Sequence, residues 1–479
     1  LNMAFLIGGA NSAATGGYEV ANSCRFAVGD SAYMHKTLGT ATNEKKFTFS
    51  AWVKRGKEAG NQQIFNVGPD GSDTWETGIR FRAPNDYDIH CTFDDGSQGS
   101  NIQLITTTEY RDRAAWMHIV FAVDTTQAVA ANRMKMYVNG VQQNDTYTYV
   151  NTYPDQNTDC DAMDSGNVIA VGRRTSETTA YFDGYMAEVV FVDGTAYAAS
   201  DFGEYDEDSP DIWKPKDVSS LTFGNNGFYL DFEDSSNLGN DKNGGTDLTE
   251  VNLAAADQAS DTPTNNFCTF NPLIGVHHTS TGVVALTQGN CHMAEVASPT
   301  HGTTLGTMGS TKMKFYFEYK LHSSAADISM GVMGQPFPQS TSNHAYNDVG
   351  AYGYYGESSQ SYKITAGVWA TDSTFSGDGI YMFAIDPTNN KLWVGKDGTW
   401  DGDPAAGSGN IVTLGTHEYL PWAHCSGTSG DNSISANFGG CPAFAISSGN
   451  ADADGYGNFE YAVPSGFYSL CTKNLAEYG

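Results

Sequence analysis

The sequence predicts an all-β protein of two tandem antiparallel β-sandwiches. Three observations support this fold class: many short runs that alternate polar and apolar residues, Asn-Gly or Asp-Gly pairs between those runs, and glycine at 53 of 479 positions. Asn, Asp and Gly tolerate the positive φ angles of tight hairpin turns. Frequent glycine disfavours long helices.

The expected elements follow in chain order. Strands are expected at 47–53, 116–123, 168–172, 187–192, 315–319 and 381–385. Tight hairpins are expected at Asn139-Gly140 and Asp397-Gly398. Short helical segments of one or two turns are expected at 109–116, 196–205 and 253–259.

Charge and composition restrict the partners. The formal net charge is −30, from 55 acidic and 25 basic side chains, so we expect no nucleic-acid partner. No run of 18 apolar residues occurs, so we expect no membrane insertion. The eight cysteines form no C-x-x-C pair and are expected to be buried thiols. Buried thiols fit folding and assembly in a reducing cytoplasm. The first residues lack the basic start of a secretory signal, so release from the cell is expected to use another route, such as lysis.

The segment 201–261 is the most acidic part of the chain, with 15 acidic residues and three lysines. Its composition predicts a solvated connector. Within it, 227–232 is expected to form one more strand that returns to the first sandwich.

The order of motifs in the first half resembles the laminin-G/concanavalin-A-like lectin sandwich, a jelly roll. The matching segments are 47–54, 116–124, 134–140, 169–172 and 182–189. The resemblance implies a lectin-like domain over 22–255 that includes the acidic connector 201–261. These are scaffold motifs, so they imply no specific activity.

The second half resembles the SPRY domain, another β-sandwich. The matching segments are 314–319, 330–333, 350–354, 380–386, 391–400, 419–422 and 436–439. This resemblance implies a SPRY-like domain over 267–470, followed by a tail at 471–479.

The flanking segments resemble bacteriophage virion proteins that pair these two modules, in phages of marine bacteria and cyanobacteria. The segments are 5–12, 18–26, 262–267 and 463–471. The resemblance implies a tail fibre, a spike or a capsid-bound fibre in the virion, with 1–21 as an attachment leader. Its partners would be other virion proteins and a host surface glycan or protein, and a homo-oligomer, with a trimer favoured, is expected.

No catalytic residues are predicted. A retaining glycosidase needs two carboxyl groups about 5–5.5 Å apart. Glu188 and Asp193 lie on opposite faces of one expected strand, and Asp231 and Glu233 lack a third partner. We therefore expect these carboxylates to be solvated and the protein not to be an enzyme.

Two candidate binding sites remain. The first is a calcium site in a glycine-rich loop with oxygen ligands, formed by Asp234, Asn237, Asp241, Asn243 and Asp247. An Asx-turn loop is the simpler alternative. The second is a tyrosine-rich ligand-binding segment that contains Tyr346, Tyr352, Tyr354, Tyr355 and Tyr362. Tyrosine mixed with serine, glycine and asparagine is typical of binding surfaces, although about half of these rings are expected in the core.

Three alternatives to a receptor-binding virion protein stay open. A purely architectural capsid decoration or cement protein would bind no glycan. A secreted bacterial adhesin would need an export signal. A glycan-degrading enzyme would need an acid pair.

Overall fold

The computed structural model describes residues 17–479 apart from 57–59, 72–75, 83–86, 97–101, 144–147, 177–178, 274–283, 296–299, 323–326, 336–346, 357–360, 373 and 428–432. The chain divides into two compact units, and the described residues fall into Ala14–Thr264 and Asn265–Gly479. We call these the first and the second unit.

The first unit is built from strands. They are β1 (Ser23–Phe26), β2 (Tyr33–Thr37), β3 (Lys46–Arg55), β4 (Gln62–Gly68), β5 (Thr77–Phe81), β6 (Ile89–Thr92), β7 (Gln103–Thr106), β8 (Met117–Asp124), β9 (Met134–Val138), β10 (Val141–Gln142), β11 (Thr148–Thr152), β12 (Val168–Val171), β13 (Gly184–Asp193), β14 (Gly203–Tyr205), β15 (Trp213–Pro215), β16 (Phe228–Leu230), β17 (Thr249–Val251) and β18 (Gln258–Ala259).

Two antiparallel sheets of eight strands enclose the core of the first unit. Sheet 1 has the order β10-β9-β8-β3-β13-β1-β18, with β16 also paired to β13, and sheet 2 has the order β11-β7-β6-β5-β4-β12-β2-β17. Phe49 of sheet 1 stacks on Phe65 of sheet 2 with ring centroids 4.2 Å apart. The predicted sandwich is therefore confirmed for this unit.

The turn between β9 and β10 confirms the hairpin prediction. Asn139 and Gly140 have φ angles of +47° and +79°, which is the positive-φ pair of a tight hairpin turn. The helix predictions are largely wrong: 109–116 is not helical, and three-residue 3-10 turns at Ala199–Asp201 and Ala255–Asp257 replace the other two.

The segment 201–261 is not a solvated connector, which corrects the prediction from composition. It supplies β14 to β18, and its β16 pairs with β13, as expected for 227–232. The side chain of Asp261 is buried and accepts hydrogen bonds from Lys54 at 2.7 Å and from the Trp116 indole at 2.9 Å. The prediction was based on the many acidic residues of this segment. It overlooked the apolar residues between them, such as Trp213 and Phe228, which are buried.

The second unit also consists of strands. They are β19 (Val284–Thr287), β20 (His292–Glu295), β21 (Thr300–Leu305), β22 (Phe315–Leu321), β23 (Asp327–Gln335), β24 (Ala351–Gly356), β25 (Ser361–Thr365), β26 (Val368–Asp372), β27 (Gly379–Asp386), β28 (Lys391–Lys396), β29 (Thr399–Trp400), β30 (Val412–Thr413), β31 (Glu418–Gly427), β32 (Ser433–Asn437) and β33 (Tyr468–Ser469).

A nine-stranded and a six-stranded sheet form the second sandwich. The first has the order β19-β20-β32-β22-β27-β28-β29, with β30 on β28 and β33 on β22, and the second has the order β21-β31-β23-β24-β25-β26. Tyr354 of the smaller sheet and Tyr381 of the larger one meet in the core with ring centroids 5.9 Å apart. The predicted turn at Asp397-Gly398 has φ angles of +49° and +83°.

The predicted tail at 471–479 is an ordered part of the second unit. It contains helix α1 (Thr472–Tyr478), and Tyr478 stacks on Tyr468 at 4.1 Å. Among the described residues this is the single α-helix, and none there is long and apolar enough to cross a membrane. Of the predicted leader 1–21, residues 1–16 lie outside the described part of the chain. All eight cysteines are buried, and no disulfide joins them.

Candidate functional site

The candidate site lies on the face of sheet 1 that points away from sheet 2. Strand β9 alternates along its length, so Met134, Met136 and Val138 are buried in the core. Lys135 and Tyr137 therefore point to the opposite face, and both are half-buried. We call the groove along Tyr137 the β9 groove.

The hairpin of β14 and β15 forms one wall of this groove. Trp213 on β15 lies against Gly140 and Gly203, where an added Cβ atom would be 2.6 Å from the indole. A side chain at either position would displace the ring. Tyr205 on β14 contacts Trp213 edge to face at 4.9 Å, and 46% of its surface is exposed.

A buried histidine holds Trp213 in place. The Trp213 indole donates to Nδ1 of His118 at 3.0 Å, so Nδ1 carries no proton. Nε2 of His118 therefore carries the proton and donates to Ser50 Oγ at 2.8 Å. Burial lowers the pKa of His118 to about 3, which keeps it neutral. Trp52 stacks on the His118 ring with ring centroids 4.9 Å apart.

Two adjoining cavities make up the β9 groove, and they share Tyr137 and Ala198. The larger, of about 410 Å³, is lined by side chains that include Glu204, Tyr205, Trp213 and Lys216. The smaller, of about 210 Å³, is lined by side chains that include Asp124, Gln127, Asn132 and Lys135. The groove thus joins an aromatic compartment to a polar one.

This arrangement is suited to binding a molecule with one apolar face and several polar groups. Tyr205 offers an exposed ring, and Tyr137 offers a half-buried one. Within the described chain, the Tyr137 hydroxyl and the Asn132 amide form no side-chain hydrogen bond, so both can bond a ligand. Small-molecule sites commonly combine aromatic walls with a few polar groups.

The structure buries most of the predicted tyrosine segment. Tyr354 is fully buried and donates to the Phe375 carbonyl at 2.7 Å, and Tyr352 packs on Tyr419. Tyr355 is 4% exposed, and Tyr362 is half-buried against it at 5.7 Å. Tyr346 lies outside the described residues. A binding role for these five residues stays a prediction, and its accessible part is Tyr362.

The predicted calcium ligands hold their own loop together. Asp241 accepts the backbone N–H groups of Tyr229, Asn243 and Gly245. The side chain of Asp247 accepts from the Asn237 amide and from the backbone of Asp241.

Asp234 bonds the backbone and hydroxyl of Ser236, as in an Asx turn. Nowhere in the described chain do three or more His, Cys, Asp or Glu side chains converge as metal ligands. These contacts are those of the Asx-turn alternative, and a calcium site at these five residues stays a prediction.

The carboxylates considered for catalysis are also engaged. Asp193 is buried and accepts the backbone N–H groups of Thr42 and Asn226. Lys242 forms ion pairs with both Asp231 and Glu233. Asp193 and Asp231 are therefore buried rather than solvated as the sequence predicted, whereas Glu233 is 57% exposed and agrees with that prediction.

Glu188 occupies a proton-sharing triangle. Its Oε2 lies 3.2 Å from the Tyr18 hydroxyl and 2.8 Å from the Tyr229 hydroxyl, and the two hydroxyls are 2.8 Å apart. Three such contacts need three protons, and the tyrosines supply two, so the third belongs to Glu188. Burial raises the pKa of Glu188 to about 8; the two tyrosine hydrogen bonds lower it, and nearby Asp231 and Asp217 raise it.

Part of the first unit matches a known family of protein domains. Residues 28–199 match the laminin G type sequence model of the concanavalin A-like lectin/glucanases superfamily. Over these residues the first unit is therefore similar to lectin-like domains. The match ends before β14 and β15, so the wall formed by Tyr205 and Trp213 lies outside it. No curated protein sequence is significantly similar to the chain.

Solved structures resemble the chain at low sequence identity. A candidate carbohydrate-binding protein of Bacteroides ovatus is 16% identical, with a TM-score of 0.33, and the match covers 49% of this chain and 58% of that protein. The SPRY domain of human HERC1 is 11% identical, with a TM-score of 0.27, and the match covers 37% and 99%. Domains LG4-5 of the mouse laminin α1 chain are 11% identical, with a TM-score of 0.30, and the match covers 95% and 88%.

Proposed function

We propose that this chain is a non-enzymatic glycan-binding protein of a bacteriophage virion and that the β9 groove is its binding site. The observation that carries the proposal is the groove itself, in which an exposed tyrosine adjoins a compartment of polar side chains. Sugar rings present an apolar face and many hydroxyls, and aromatic rings beside hydrogen-bonding groups match both features.

The construction of the groove supports a binding role. Tyr205 rests on Trp213, which is fixed by His118 and by the two glycines at its faces. A ring held in one position loses little conformational freedom when a ligand stacks on it. The lectin-like domain at 28–199 supports the same role.

The proposal that the protein is not an enzyme rests on the carboxyl groups. The superfamily also contains glucanases, which use paired carboxyl groups at the bond they cleave. In the first unit Glu188, Asp193 and Asp231 are buried and bonded to structural partners. Their engagement with structural partners supports a binding role rather than a catalytic one.

The virion location rests on the resemblance of the flanking segments to phage particle proteins. A net charge of −30 favours solubility when many copies are displayed close together. A trimeric fibre would bind a host surface through several weak sites at once. Assembly would take place in the host cytoplasm.

The first experiment measures binding of the purified chain to a panel of glycans. We expect Tyr137→Ala and Tyr205→Ala each to weaken binding by about 3- to 10-fold, the equivalent of about 0.5–1.5 kcal/mol for an aromatic contact. Tyr33→Ala, a half-buried tyrosine of sheet 2, is the matched control. Tyr362→Ala tests the predicted site of the second unit.

Two outcomes contradict the proposal. If no glycan binds, and cryo-electron microscopy of the particle finds this chain tiling the capsid, the protein is architectural. If binding is lost in Tyr362→Ala and kept in both groove variants, the second unit carries the site.

A further inference from the structure

We infer that the β9 groove binds an anionic saccharide, one that carries carboxylate or sulfate groups. This inference rests on the proposed function and adds the chemical class of the ligand. The observation behind it is an uneven pairing of charges: the acidic side chains of the groove have basic partners, whereas its two lysines have no carboxylate partner among the described residues.

The acidic side chains of the groove are already engaged. Asp124 forms an ion pair with Lys46 at 3.4 Å and accepts hydrogen bonds from Thr126 and Gln127. Glu204 lies 3.8 Å from the Lys214 ammonium. A cationic ligand would have to compete with these internal partners.

The basic side chains of the groove differ. Lys135 lines the polar cavity and Lys216 lines the aromatic one. Neither has a carboxylate within 4.0 Å in the described part of the chain, and Lys216 donates only to the Ser200 carbonyl there, at 3.3 Å. Both ammonium groups are therefore available to an anion.

The other lysines of the first unit show that this is not a general property of the surface. Eight of its lysines are described, and five form ion pairs, namely Lys45, Lys46, Lys54, Lys214 and Lys242. Lys36 is buried and donates to the Gly227 carbonyl. The remaining two are Lys135 and Lys216. Among the described lysines of the first unit, the two that are neither buried nor ion-paired therefore lie in one groove.

The positions of the two lysines indicate how the ligand is built. They belong to different cavities that meet at Tyr137. A saccharide that stacks on Tyr205 and passes Tyr137 would place acidic groups at both ends of the groove. The net negative charge of the chain repels polyanions at long range, but salt screens that repulsion beyond roughly 8 Å. Contact with an ammonium group then dominates.

Matched pairs of oligosaccharides test the inference on the full chain. One pair is tetragalacturonate and its methyl ester, and the other is a chondroitin tetrasaccharide with and without sulfate. We expect the acidic member of a bound pair to bind about tenfold more tightly. Lys135→Gln and Lys216→Gln should bring its Kd towards that of the neutral member, and Lys312→Gln, an exposed lysine of the second unit, should not.

The outcomes separate this inference from the proposed function. If acidic and neutral members bind equally and Tyr205→Ala still weakens both, the groove binds glycans and the anionic class is wrong. If the wider glycan panel yields only neutral ligands, the anionic class is also overturned. If no glycan binds at all, the proposed function fails and the inference fails with it.

Discussion

Replacing Glu188 with glutamine should change how the stability of the first unit depends on pH. In the folded protein the Glu188 carboxyl is buried against Tyr18 and Tyr229, and its pKa is raised from 4.5 to about 8. In the unfolded chain it titrates at its ordinary value. Folding therefore binds a proton between these two values, and stability must fall as pH rises through that range.

The magnitude follows from the shift. One unit of pKa corresponds to about 1.4 kcal/mol, so the free energy of unfolding should fall by about 1.4 kcal/mol per pH unit between pH 4.5 and 8. The full loss approaches about 5 kcal/mol above pH 8. Below pH 4.5 both states are protonated and the contribution is complete.

Glutamine removes this dependence because it does not titrate. It also cannot both donate and accept through one atom, so one side of the triangle is lost, at a cost of about 0.5–1.5 kcal/mol. We therefore expect Glu188→Gln to be less stable than the wild type at pH 5 and more stable at pH 9.

Urea unfolding read by pulsed hydrogen exchange on β13 peptides measures this, because it reports the first unit separately from the second. The exposed Glu207→Gln is the control for removal of one negative charge. The free energy of unfolding of Glu188→Gln minus that of the wild type should rise steadily from pH 5 to pH 8. A difference that stays constant with pH would falsify the assignment of the third proton to Glu188.

Three further substitutions test the packing. Asp261→Ala removes the buried carboxylate from Lys54 and should cost the first unit about 3–5 kcal/mol, measured by urea unfolding. Gly140→Ala adds a Cβ atom 2.6 Å from Trp213 at a positive φ, so it should alter tryptophan fluorescence and weaken glycan binding; unchanged fluorescence would count against the fixed position of the ring. Glu318→Gln puts an amide where the buried carboxylate accepts four donors, including Tyr316 and the backbone of Tyr461, and should cost the second unit about 1–3 kcal/mol.

The strands and tight turns could be predicted because their signals are local. The pair Asn139-Gly140 takes two positive φ angles, and the alternation in 134–138 places its methionines in the core. That alternation also places Tyr137 on the outer face of the sheet. The sequence alone could therefore predict the orientation of one side chain of the groove.

The tyrosine segment was harder to interpret, because alternation assigns a face only where one face of a sheet is exposed. Tyr354 and Tyr355 point to opposite faces of β24, and both are buried. The calcium site stays a prediction, because it rests on oxygen-rich composition, which does not distinguish calcium ligands from Asx-turn residues such as Asp234.

The wall of the β9 groove could not be predicted from the sequence, for a different reason. Tyr205 and Trp213 lie in the acidic segment, where the charge pattern favoured a solvated connector. The position of Trp213 depends on His118, which is 95 residues away in sequence and accepts the indole N–H at Nδ1. No local pattern encodes a contact of that separation.

The groove also explains why the lectin-like match alone says little about the ligand. The matched residues 28–199 supply the sheet, with Lys135 and Tyr137 on its outer face. The chain that follows supplies Tyr205, Trp213 and Lys216, which close one side of that face. A scaffold shared by many proteins thus acquires a specific groove from a segment that the match does not cover, so substitutions in 200–216 should alter binding while leaving the two sheets intact.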